Sequence, residues 1–153
     1  MARGASRGTA GVVVDVNTEG LRAPAAAARV RDAVAAVMRA ERVRHALVSV
    51  TLLTSRRMAA MNRKHLGHAG ATDVITFGFR DPAGAVVGDV YLCLDVIAEN
   101  ARRFDRPKRE EFLRTVVHAA LHVLGYAHPD GESRTRSPMW RRQERLLRRV
   151  LSA

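Results

Sequence analysis

Three histidines fall within one short stretch, His118-Ala-Ala-Leu-His122-Val-Leu-Gly125-Tyr-Ala-His128. On a helix that turns about 100° per residue, His118 and His122 stand about 40° apart, one turn from each other. Two imidazoles so placed can reach a common zinc ion, with metal–nitrogen bonds of about 2.0–2.1 Å. Gly125 is a residue that ends helices and lets the chain reverse. His128 can then return as a third ligand. Three protein ligands leave a position for water, which is the open arrangement of a catalytic zinc; a closed structural site would use four. The expectation is one zinc per chain, on His118, His122 and His128.

The spacing is that of the metzincin protease pattern H-E-x-x-H-x-x-G-x-x-H. In those proteases the glutamate after the first histidine is the general base. Here that position is Ala119, which cannot take a proton. Peptide hydrolysis by that route is not expected.

Charge points to a polyanionic partner. The chain has 26 basic and 15 acidic residues, a net charge of +11. Phosphate contacts by basic side chains dominate nucleic-acid affinity. Only Lys64 and Lys108 are lysines. A GC-rich genome accounts for arginine in place of lysine, but not for the excess over acids.

The 153 residues are read as one domain over 11–153, behind a short loose tail at 1–10. Cys93 is the single cysteine, so no intrachain disulfide forms. No stretch reaches the ~20 apolar residues of a membrane span. The first ten residues lack the apolar core of a secretory signal. The expected location is the cytoplasm, with no membrane partner and no nucleotide cofactor.

Residues 12–16 read as a first strand, and 25–40 as a helix with Pro24 at its start. Residues 46–53 alternate as a second strand. Thr54 caps a short helix to Lys64, and 67–71 form a loop. Strands over 72–79 and 86–94 flank Asp81-Pro-Ala-Gly84, a turn sequence, and form a hairpin. Asp95 is placed as the cap of a helix to Arg103. A longer helix runs from Pro107 to Gly125, and Ser137-Pro138 opens a terminal helix. On the long helix, Glu111, Arg114 and Thr115 share a polar line with both histidines. The expected fold is α+β: a four-stranded mixed sheet flanked by helices, with the zinc site at the end of a central helix.

The histidine block resembles the YbeY family of bacterial ribosomal-RNA maturation factors and single-strand endoribonucleases. The family signature is H-G-x-L-H-L-x-G-Y-D-H, and residues 118–128 read H-A-A-L-H-V-L-G-Y-A-H. A second family block, L-N-x-x-x-R followed by T-D-V-L-S-F, is similar to Met61-Asn62 and Thr72-Asp-Val-Ile-Thr-Phe77. A third, G-D-I/V, is similar to Gly88-Asp89-Val90. The resemblance covers about residues 45–130. It implies zinc on the three histidines, with single-stranded RNA as substrate. It also implies partnership with ribosomal RNA and the small ribosomal subunit, in maturation of the 3′ end of that subunit's RNA and in ribosome quality control.

Three departures stand out. Ala119 replaces a glycine, and Ala127 replaces an aspartate for which Asp130 or Glu132 can substitute. Leu66 stands where the second block has arginine, a residue proposed to act on the RNA phosphate. His68 and Arg114 are the candidates to supply a positive or proton-transferring group in its place. For Arg114 the competing role is a salt bridge to Glu110 or Glu111. Asp73 either orients a ligand histidine or caps a strand end. Arg141, Arg142, Arg145, Arg148 and Arg149 on the last helix suit RNA contact or simple solvation, and Trp140 suits packing better than base stacking. The competing functions are a non-catalytic ribosome-assembly factor with a structural zinc, and another zinc hydrolase.

Overall fold

The computed structural model describes residues 11–67 and 70–153. The tail expected at 1–10 and the candidate His68 lie outside the described residues. The element order is β1 (Val12–Asn17), α1 (Ala27–Ala40), β2 (Ala46–Leu53), α2 (Ser55–Leu66), β3 (Val74–Arg80), β4 (Val86–Cys93), α3 (Leu94–Arg103), α4 (Lys108–Val123) and α5 (Pro138–Ser152). A 3-10 helix at Gly131–Arg136, absent from the sequence reading, precedes α5. The sheet order is β1-β2-β4-β3. β1, β2 and β4 run parallel, and β3 is antiparallel to β4. The expected α+β architecture with a mixed sheet is therefore present.

Strand alternation sends Ala46, Val48, Val50 and Leu52 to one buried face of the sheet. That face packs the main core with α1, α4 and α5. The other face carries a smaller cluster of Leu53, Met58, Ile75 and Cys93 under α2. Asp81 shapes the β3–β4 turn: its carboxylate accepts from the Ala85 N–H at 2.9 Å.

Two helix starts show how capping sets the ends. Thr54 accepts from the Arg57 N–H at 3.3 Å, as expected. Asp95 does not cap α3, which starts one residue earlier with Cys93 at its N-cap. Its carboxylate instead accepts from the Ser55 N–H at 2.9 Å and so satisfies a free donor at the start of α2.

α4 is the centre of the molecule. Residues 111–121 are all buried, because the helix packs against α1, α3 and α5 as well as β3 and β4. The polar line read from the sequence does not face solvent. Glu111, Arg114, Thr115 and His118 all lie buried.

The end of α4 comes unusually near the sheet because two glycines lie beneath it. Gly78 and Gly88 are cross-strand partners in β3 and β4. A Cβ at Gly78 would collide with the Val123 carbonyl oxygen, and one at Gly88 would stand 2.6 Å from Val123 Cγ1. The carbonyl cannot rotate away, whereas the valine methyl can. Gly78→Ala should therefore cost more than Gly88→Ala, about 1–3 kcal/mol as for other overpacked sites. Urea unfolding of both variants checks this; equal midpoints for Gly78→Ala and the unsubstituted chain would contradict it.

Candidate metal centre

His118 and His122 project from the last turns of α4 at helical spacing. The helix then ends in a Schellman motif. Gly125 has φ +99°, its N–H donates to the His122 carbonyl at 2.9 Å, and the Tyr126 N–H donates to the Leu121 carbonyl at 3.1 Å. A side chain is strained at that φ, so glycine is required there. The reversal returns His128 to the other two. The ring centroids lie 4.5 Å apart for His118 and His122, and 5.1 Å apart for each of them with His128. One ligand atom from each ring lies within 4.8 Å of the others.

Each ring has its Nδ1 engaged in a hydrogen bond. His118 Nδ1 donates to Gln143 Oε1 at 2.6 Å, His122 Nδ1 to the Tyr126 carbonyl at 2.9 Å, and His128 Nδ1 to the Pro129 carbonyl at 3.0 Å. A proton on Nδ1 puts the lone pair on Nε2. All three Nε2 atoms are thus able to act as ligands, the arrangement that outer hydrogen bonds impose in metal sites. A tetrahedral ion with bonds of about 2.1 Å needs its nitrogens about 3.4 Å apart. Small ring rotations close that gap, so the three histidines fit a metal. Among the described residues no fourth histidine, cysteine or carboxylate joins the group.

Burial is the main reason His118 stays neutral. It pushes the imidazole down to about 3, helped by the nearby His122 and Arg134 and opposed by Gln143. His122 is also lowered, chiefly by burial, with His128 and Arg134 adding to the effect while the Tyr126 carbonyl and Asp73 oppose it. Neutral imidazoles are the form that binds metal.

Arg114 stands one turn before His118 but is already occupied. Its Nε and Nη2 donate to Glu144 at 2.8 and 3.1 Å, its Nη1 to Glu111 at 2.9 Å, and its Nη2 to Glu110 at 3.1 Å. The salt-bridge role weighed for it is present. Glu144 in turn accepts from Gln143 Nε2 at 3.0 Å. That fixes the amide so that its oxygen faces His118. A buried relay therefore runs Arg114–Glu144–Gln143–His118. Gln143 was missed in the sequence because a glutamine on a distant helix carries no spacing signal.

Other expected residues resolve individually. The Tyr126 hydroxyl donates to Glu41 at 2.7 Å, which ties the ligand loop to the end of α1. Asn62 is buried and its Nδ2 donates to the Gly70 carbonyl at 3.0 Å, pinning the loop before β3. Leu66 is 46% exposed at the end of α2. Asp73 makes no hydrogen bond to a ligand histidine; its carbonyl accepts from the Cys93 N–H at 2.9 Å, and its charge is felt at His122. Arg142 pairs with Glu41, so it is not a free cation. Trp140 is partly buried, with the Arg106 guanidinium 5.9 Å from its ring.

Comparison with known proteins bears on the same residues. A profile described as endoribonuclease YbeY matches residues 14–151. The chain belongs to the YbeY family. Its match to the endoribonuclease YbeY of Chlorobaculum tepidum is 44% identical over 90 residues, covering 59% of this chain and 64% of that protein. The match to the endoribonuclease YbeY of Chlorobium phaeovibrioides is 35% identical over 122 residues, 79% of this chain and 80% of that one. The first of these matches thus spans less than two thirds of the relative's length. The solution structure of TM1509 from Thermotoga maritima shares the fold, with a TM-score of 0.60 at 23% identity over 92% of this chain and 90% of that one. Within the YbeY framework, the three blocks quoted from the sequence supply the helix end, the glycine under it and the pinned loop.

Two outcomes follow from the relay and from burial. Gln143→Leu should weaken metal affinity by about 10- to 100-fold while leaving all three ligands in place; isothermal titration with zinc measures it, and unchanged affinity would remove the relay from the site. For the metal-free chain, the unfolded state takes up a proton on His118 below its ordinary value of 6.5, while the folded state resists doing so down to about 3. Stability is therefore full above pH 6.5 and falls as pH drops below it. Urea midpoints of chelator-treated protein between pH 7 and 5 should decline, and His118→Gln should flatten that decline.

Proposed function

We propose that this chain is a metal-dependent endoribonuclease that cleaves single-stranded RNA, with zinc held by His118, His122 and His128. The observation that carries the reading is the convergence of one ring nitrogen from each of three histidines, with every Nδ1 held in a hydrogen bond that leaves Nε2 to bind metal. A zinc ion bound there supplies a Lewis acid for a phosphoryl oxygen and lowers the pKa of a bound water. The names of the relatives and the charge of +11 both favour RNA as substrate. The physiological substrate in this reading is the 3′ end of small-subunit ribosomal RNA, processed in the cytoplasm on the small subunit, with a further part in ribosome quality control.

The chain's own groups divide the remaining work. Gln143 and the Tyr126 carbonyl hold His118 and His122 in their metal-binding tautomer. We assign Arg114 to positioning through Glu144, since four of its hydrogen bonds already go to carboxylates. His68 remains a proton-transfer candidate. The cation best placed for a phosphate is Arg134, on the 3-10 helix after the third histidine. Its charge is felt at both His118 and His122, and its Nε is buried without a partner. An unpartnered buried donor costs about 1–3 kcal/mol, so an incoming phosphate oxygen would relieve it. It stands in for the arginine that Leu66 replaces.

Metal analysis with an RNA cleavage assay tests this. The purified chain should hold about one zinc and cut a single-stranded oligonucleotide, and His122→Ala should lose both. Arg134→Ala should lower kcat/KM about 100-fold, with the zinc content unchanged and partial rescue by Arg134→Lys. A zinc-loaded, folded chain that cuts no RNA would overturn the catalytic reading in favour of an assembly factor.

A further inference from the structure

A cleft of about 1230 Å³ opens between β1, α1, the connection from α1 to β2 and the last two turns of α5, and none of the three clustered histidines lines it. Six arginines line it: Arg29, Arg31, Arg39, Arg42, Arg44 and Arg149. The single acid in its wall is Asp32. Its floor is apolar, from Val14, Leu146 and Val150.

Most of these cations are uncommitted. Among the described residues, Arg31, Arg39, Arg42, Arg44 and Arg149 make no ion pair; the ion pairs go to Arg57, Arg106, Arg114 and Arg142. Arg29 donates to the Val150 and Ala153 carbonyls at 3.0 Å each, and its buried Nε has no acceptor. Arg42 sits at φ +61°, in the left-handed region. Glycine would take that conformation without strain, whereas a side chain costs about 1 kcal/mol there. The cleft thus concentrates exposed positive charge, one member of it at an unfavourable backbone position, with little acid to neutralise it.

The cleft and the histidine cluster share one helix, α5. α5 carries Gln143 at His118 and Arg149 in the cleft wall, six residues or about 9 Å apart along the axis. Glu41 at the end of α1 holds Tyr126 of the ligand loop, and Arg39 and Arg42 flank it.

We propose that this arginine-lined cleft binds the phosphodiester backbone of the RNA strand outside the metal centre. The inference rests on the reading of the chain as an RNA-acting enzyme. The chemistry is that of phosphate contact: arginine donors along a backbone, over an apolar floor with no exposed aromatic side chain lining it, so grip without base reading.

The test is salt-dependent binding of a fluorescent single-stranded RNA by the purified full chain. The groove variant is Arg31→Gln, Arg39→Gln and Arg44→Gln together. The control, with the same change in charge, is Arg102→Gln, Lys108→Gln and Arg109→Gln, three exposed residues at the end of α3 and the start of α4. Each lost phosphate contact lowers the slope of log affinity against log salt by about 0.7. The groove variant should lose about 2 in slope and on the order of 100-fold in affinity at 0.1 M salt, and the control should lose far less. Equal losses in both variants, or no loss in the groove variant while the unsubstituted chain binds, would overturn the cleft assignment alone. No RNA binding by the unsubstituted chain would overturn the RNA reading itself.

Discussion

A helix buried on every side can carry charge and imidazole only if each polar group has a partner within the fold. α4 meets that constraint with a relay: Glu110, Glu111 and Glu144 surround Arg114, Glu144 orients Gln143, and Gln143 fixes the proton of His118. The relay links stability to the metal site. An ion pair of this kind is weak evidence for stability in itself, yet removing one member leaves the others buried and unpaired. The geometry of the first ligand therefore depends on charges two side chains away.

The second ligand is set by backbone rather than side chains. The Gly125 reversal places the Tyr126 carbonyl on His122, and the Tyr126 hydroxyl anchors the same loop to Glu41. Beneath the helix end, Gly78 and Gly88 allow a close contact with Val123 that a Cβ at either position would crowd, most of all at Gly78. Thus α5 orients His118, the helix terminus orients His122, and the sheet sets the depth at which both stand. Among the described residues, the third histidine, His128, bonds only to the neighbouring Pro129 carbonyl.

Much of this was legible in the chain. The strands alternate, the turn and cap residues sit at the element ends, and the histidines keep their spacing. These are local signals, governed by periods of two and 3.6 residues and by the conformations of single residues. Asp95 does not cap its own helix; its carboxylate reaches Ser55 on another, a contact between elements that local capping signals do not encode. The 3-10 helix went unread because a six-residue element carries too little periodicity to register.

The sequence by itself determined the three clustered histidines, the one-turn spacing of the first two and the glycine that returns the third, since all depend on neighbours along the chain. It also determined the charge excess and excluded the glutamate base of a protease, because Ala119 occupies its position. Only the tertiary structure decided what surrounds the ligands. Gln143 lies 25 residues from His118, and Glu144 lies 30 from Arg114. Packing α5 across α4 creates both contacts, and no local pattern encodes them. The same packing committed Arg114 to three carboxylates, whereas the buried Arg134 Nε has no acceptor among the described residues. It also gathered arginines from separate elements into one cleft, because burial of the apolar faces dictates which charged faces meet.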